Sequence, residues 1–150
     1  MTPAESRAYF ERYKDNPVPV GTYKGDKMKE VVDNRTQETG LKHEQHHVWP
    51  VAQSREISKV TGKQYKNNAV IPLPLKLHQA QNRKVMHKRN ETLKPQNPRE
   101  SLLQGVQDTR QGLLDAGCDR MKTNEACLEA LKKIKADNPE RFSGKIPPKP

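Results

Sequence analysis

Between Gly40 and Met86 the chain changes pattern several times, and those changes leave few ways to fold it. Residues 41–49 suit a strand that Pro50 ends, and Ala52–Val60 can form a short inserted helix closed by Thr61-Gly62. Asn68 to Ile71 is β-branched and apolar enough for a second strand, after which Pro72 and Pro74 are expected to turn the chain. Pro74 then suits the first position of a helix carrying Leu75, Leu77, His78, Asn82 and Val85 to about Met86. The order is strand, long loop, strand, helix.

Helices flank this unit. Thr2-Pro3-Ala4-Glu5 has the form of a capping box, and Ala8, Tyr9 and Tyr13 supply a short apolar stripe before Asn16-Pro17 and Pro19 break the helix. Residues 15–26 read as a loop or an extended edge, and 26–35 as another short helix. Asn97-Pro98-Arg99-Glu100 starts a helix with Leu102, Leu103, Val106, Leu113 and Leu114 at helical spacing up to Gly117. Thr123 is expected to cap a last helix, with Cys127, Leu131 and Ile134 on one side and Asn138-Pro139 as its stop. The expected fold is α+β and mostly helical. Residues 1–40 form a helical and loop region, 41–90 two short antiparallel strands and a helix, 91–138 the C-terminal helices, and 139–150 a Pro-rich tail.

At 150 residues a large multi-lobed enzyme is excluded. Hydrophobic residues are only as frequent as charged ones, 31% each, so the core is thin, and a bound metal could add stability. The 28 Lys and Arg outnumber 18 Asp and Glu, for a formal charge of +10. Such a balance suits a polyanion, although a solvated Lys/Arg surface gives the same number. Two cysteines, Cys118 and Cys127, make no disulfide framework and read as reduced, partly buried thiols. No apolar stretch approaches the ~18 residues of a membrane span, and Met1-Thr2-Pro3-Ala4-Glu5 lacks the hydrophobic region of a signal peptide.

The chemistry lies in Glu44-Gln45-His46-His47, followed by Asn68, His78 and Asn82. Four residues apart on a helix, His78 and Asn82 are separated by about 40° around the axis and can reach one ion. Adjacent in a strand, His46 and His47 point to opposite sides, so one imidazole can ligate a metal while the other stays available as a base. Phosphodiester hydrolysis needs both parts: a cation against the developing charge, and a base for the attacking water. The alternatives are weaker. The cysteines lie far from the histidines, which disfavours a zinc finger, and no signature places a thiol beside His47 for a Cys/His protease. Trp49 reads as core, His43 as a surface or flanking residue, and His87 falls on the far side of the helix from His78.

These residues resemble the His-Me finger (ββα-metal) nucleases, which include the HNH endonucleases and the colicin DNase domains. Glu44-Gln45-His46-His47 is similar to the Glu-x-His-His of the colicin first strand, Asn68 to the central Asn of HNH with Asn67 as its close rival, and His78 to the helix histidine ten residues on. The likeness covers residues 41–87, and the 21-residue step from His47 to Asn68 is longer than in colicins. It implies His47 as general base, His46 and His78 as metal ligands, Glu44 as support for the metal or its water, and Asn68 as the residue that orients His47 or ties the loop. Asn82 falls where colicins place a third histidine and some HNH enzymes an Asn. Its amide oxygen suits Mg²⁺, with Mn²⁺, Zn²⁺ and Ni²⁺ as further candidates.

Arg83, Lys84, Lys88 and Arg89 would grip backbone phosphates beside that helix. The resulting expectation is an endonuclease with one divalent ion, acting on DNA before RNA with little sequence preference. By analogy it is a toxin or effector, exported by means not visible in this chain and neutralised by an acidic immunity protein. A non-catalytic nucleic-acid-binding module and a metal-independent ribonuclease are the rival expectations.

Overall fold

The computed structural model describes residues 1–77 and 97–142. Capping fixes the helix ends much as the sequence foretells. Helix α1 (Pro3–Arg12) opens on the Thr2/Glu5 capping box, with Glu5 N–H donating to Thr2 Oγ1 at 3.1 Å and Thr2 N–H to Glu5 Oε1 at 3.0 Å. Helix α2 (Asp26–Thr39) runs four residues beyond its expected end and stops at Gly40, whose φ of 72° is the left-handed conformation glycine adopts without strain. Helix α3 (Val51–Thr61) ends the same way at Gly62, φ 68°. Helix α4 (Pro98–Asp115) begins where Asn97 Oδ1 accepts from Glu100 N–H at 2.8 Å.

Helix α5 (Arg120–Asp137) departs from expectation, because its cap is Asp119 and not Thr123. The Asp119 carboxylate accepts from Lys122 N–H at 3.0 Å, and Thr123 N–H already bonds back to Asp119 O inside the helix. Starting one turn earlier lets Thr123 be fully buried against the core.

Three antiparallel strands, β1 (Gly21–Thr22), β2 (His43–His47) and β3 (Ala69–Pro74), lie in the order β1-β3-β2. The segment 15–26, expected as a loop or extended edge, thus supplies an edge strand through Gly21–Thr22 alone. Contrary to expectation, Pro72 does not turn the chain; β3 passes through it and ends on Pro74, where helix follows. The register explains why. His46 faces Ile71, while Val48 N–H donates to Ala69 O and Leu75 N–H to Lys42 O, so the β2 ladder runs through the odd-numbered residues of β3. Pro72 and Pro74 fall between those bonds, with their donor-less nitrogens on the β1 side, and β1 pairs only with Ala69 and Val70. Residues 75–77 are helical.

Helices α1 and α2 cover one face of β2 through Tyr9 and Thr36, which both bond His43; α4 meets the other face at Thr109, and α5 packs along α4. The hydrophobic core draws on α1, α3, β3, α4 and α5, from Tyr9 and Phe10 through Trp49, Ile71 and Leu73 to Leu102, Leu113, Ile134 and Phe142. The protein is therefore α+β, mostly helical, with a small antiparallel sheet. Among the described residues no helix is long and apolar enough to cross a membrane.

Candidate active site

Strand alternation distributes the residues of β2. Glu44 and His46 share one face; His43, Gln45 and His47 share the other. His46 is 2% exposed, and its Nε2 lies 3.2 Å from Thr109 Oγ1 of α4. The Thr109 hydroxyl donates to Val48 O at 3.4 Å, so its oxygen is left to accept from His46 Nε2–H, and Nδ1 becomes the acceptor nitrogen of that ring. His47 is half-buried at the end of β2, with the Tyr23 ring tilted against it at 4.5 Å between centroids. Tyr23 is held by its own backbone, whose N–H donates to Asn68 O at 2.8 Å.

Helix α4 approaches this end of the sheet along one stripe. Ser101, Gly105 and Thr109, four residues apart and so on one face, all meet residues 46–50. Ser101 Oγ accepts from Trp49 Nε1–H at 2.9 Å. At Gly105 a Cβ would stand 2.8 Å from Pro50 Cδ and 3.0 Å from Val48 O, a separation only glycine permits. Trp49 is fully buried, as a core residue should be.

The loop between the strands is tied by Asn67. Its Nδ2 donates to Trp49 O at 2.6 Å and to Ser54 Oγ at 3.1 Å, joining the approach to β3 to the exit from β2. Asn68 is exposed and contributes its backbone carbonyl to Tyr23. The loop-tying role assigned to Asn68 by resemblance is therefore performed by its neighbour. Two adjacent Asn residues cannot be told apart in sequence, since the strand's phase decides which one faces the loop.

His43 is corrected from a surface to a core residue. It is 5% exposed, with Nε2 2.8 Å from the Tyr9 hydroxyl and Nδ1 2.7 Å from Leu41 O. Burial lowers its pKa, against the Leu41 carbonyl, which favours the charged form.

His78 and Asn82, together with Arg83, Lys84, Lys88 and Arg89, lie outside the described residues, as do most of the helix expected to follow Pro74 and the tail after residue 142. Among the described residues no three His, Cys, Asp or Glu side chains converge as a metal site. The described part of the donor set is thus Glu44 and His46, on one face of one strand. Sequence reasoning missed Thr109 and Tyr23 and held Asn67 only as the rival of Asn68; the first two carry no local signal, because only the fold brings them to β2. Comparison with protein-family models, curated proteins and solved structures gave no match to this chain.

Proposed function

We propose that the protein is a metal-dependent endonuclease that hydrolyses phosphodiester bonds of DNA through a ββα-metal site, with His47 as general base. The observation that carries this reading is the division between adjacent imidazoles: His46 turned inward onto Thr109, His47 near the surface against Tyr23. A base must meet solvent, and the half-buried His47 does. Its neutral ring takes the proton of the attacking water, and the Tyr23 face limits how that ring can tilt.

His46 has the arrangement that suits a ligand histidine, donating one ring N–H to a protein oxygen so that the other nitrogen is the acceptor. A divalent ion held there with His78 and Asn82 would neutralise charge developing on the phosphoryl and leaving oxygens. Glu44, on the same strand face as His46, supports that side of the site. The formal charge of +10 favours a polyanionic substrate. A toxin setting with an acidic inhibitor protein follows from the family resemblance alone.

The burial of His46 favours a second reading, in which its imidazole is a structural partner of Thr109 and any catalysis is metal-independent. Supercoiled plasmid and RNA incubated with the purified protein, with Mg²⁺ or with EDTA, separate the two. Plasmid nicking that EDTA abolishes is expected. RNA cleavage that persists in EDTA would establish the second reading, and no cleavage with Mg²⁺, Mn²⁺, Zn²⁺ or Ni²⁺ would overturn the first.

A further inference from the structure

Beyond the end of β2 the chain enters α3, and between α3 and the C-terminal end of α5 lies an open groove of about 760 Å³. Arg55, Lys59, Lys66 and Arg141 line it, all exposed. Asp137 lines it as well, and its carboxylate is engaged by Lys133 at 3.7 Å. We infer that this groove is a binding site for the phosphodiester backbone of a nucleic acid strand.

Three observations support a built surface over a chance gathering of cations. First, Asn138, 4% exposed, clamps the Lys66 backbone: Oδ1 accepts from Lys66 N–H at 2.7 Å, and Nδ2 donates to Lys66 O at 2.8 Å and to Ile134 O at 2.8 Å. The Lys66 wall is thereby fixed to the end of α5. Second, the Arg141 guanidinium lies 5.7 Å from the centroid of Tyr65, and the Tyr65 ring packs on Trp49 and Phe142 at 5.9 and 5.6 Å. An arginine so placed loses less freedom on gripping a phosphate. Third, the groove walls are tied to the segment that follows the candidate base: α3 starts four residues after His47, and Asn67, next to Lys66, holds both Trp49 and Ser54.

Phosphate is the fitting ligand chemistry because four cations spread along an open groove match repeated single charges better than one compact anion. Delivery of the strand to His47 rests on the nuclease reading; the affinity of the groove for phosphates does not. The test therefore measures binding in EDTA, where cleavage plays no part.

Binding of the full chain to fluorescein-labelled single-stranded and duplex DNA would be followed by anisotropy over a range of salt. The variant carries Arg55→Gln, Lys59→Gln, Lys66→Gln and Arg141→Gln. A charge-matched control carries Arg7→Gln, Arg12→Gln, Lys14→Gln and Arg120→Gln, all exposed and placed on α1, the turn after it and the start of α5. For each phosphate the groove variant no longer neutralises, the slope of log affinity against log salt should flatten by about 0.7 on single strands and about 0.9 on duplex; the control should flatten it by less than the value for a single phosphate. An unchanged slope in the groove variant, or an equal loss in both, would overturn the proposal. So would groove-dependent binding of polyglutamate as tight as that of DNA, which would assign the surface to an acidic protein. Groove-dependent DNA binding without cleavage under any metal would uphold this inference and remove the nuclease reading.

Discussion

Tyr9 and His43, 34 residues apart in the chain, share a buried hydrogen bond of 2.8 Å between the phenol hydroxyl and Nε2. The proton positions follow from the partners. Leu41 O can only accept, so His43 Nδ1 carries the ring proton; Nε2 then accepts from Tyr9 O–H, and Tyr9 in turn accepts from Arg35 Nη1 at 3.2 Å. Arg35 is itself buried and donates to Pro17 O and Asn16 O, each at 2.8 Å. The chain of bonds is complete with a neutral His43, whose pKa burial lowers.

Acid should therefore destabilise the protein through this residue. The folded pKa of His43 lies below the ordinary histidine value of about 6.5, so the folded state binds fewer protons than the unfolded state. The stabilisation is present above that value and is lost as pH falls through the lower, folded-state pKa. Urea unfolding between neutral and mildly acidic pH should show a smaller loss of stability in His43→Gln than in wild type. Parallel pH profiles would show that His43 is not responsible.

The two adjacent histidines should fail differently. His47→Ala should cost ~10²–10⁴ in cleavage rate with little change in melting temperature, since its ring is half-buried. His46→Ala removes a side chain 2% exposed and should lower the melting temperature as well as activity. Thermal denaturation beside plasmid nicking checks both, and a His47→Ala protein of full activity would remove His47 from the mechanism.

Asn67→Ala should destabilise by about 1–3 kcal/mol, because Trp49 O and Ser54 Oγ lose their donor. Asn68→Ala should cost much less, as its structural contact is made by the backbone carbonyl. Equal losses in chemical denaturation would mean that the loop is not tied through Asn67.

Gly105→Ala brings a methyl group to 2.8 Å from Pro50 Cδ and 3.0 Å from Val48 O, forcing α4 and the β2–α3 corner apart. The overpacking cost of about 1–3 kcal/mol should exceed the gain in helix propensity of roughly 1 kcal/mol. A stabilised variant in urea titration would show that the corner yields.

Cys118 and Cys127 are free and buried, and burial raises both thiol pKa values, that of Cys127 to about 11. Alkylation by iodoacetamide at neutral pH should be slow in the native protein and rise sharply on unfolding. Rapid native labelling of either would count against its burial.

Most helix ends and the order of elements were legible in the residues alone. The Thr2 capping box, the Asn97 cap and the glycine stop at Gly62 involve hydrogen bonds or φ angles within a few residues, so local sequence suffices. Alternation likewise separates His46 from His47 before any tertiary contact exists. The remaining features waited on the closed core. Whether Pro72 ends a strand depends on which side of β3 is paired, and β1 is only two residues long and stops short of it. Whether His43 meets water depends on where α1 places Tyr9, and which Asn ties the loop depends on the position of Trp49. In each case the deciding partner is tens of residues away or on another element, and its hydrogen-bonding geometry is fixed only when the core closes.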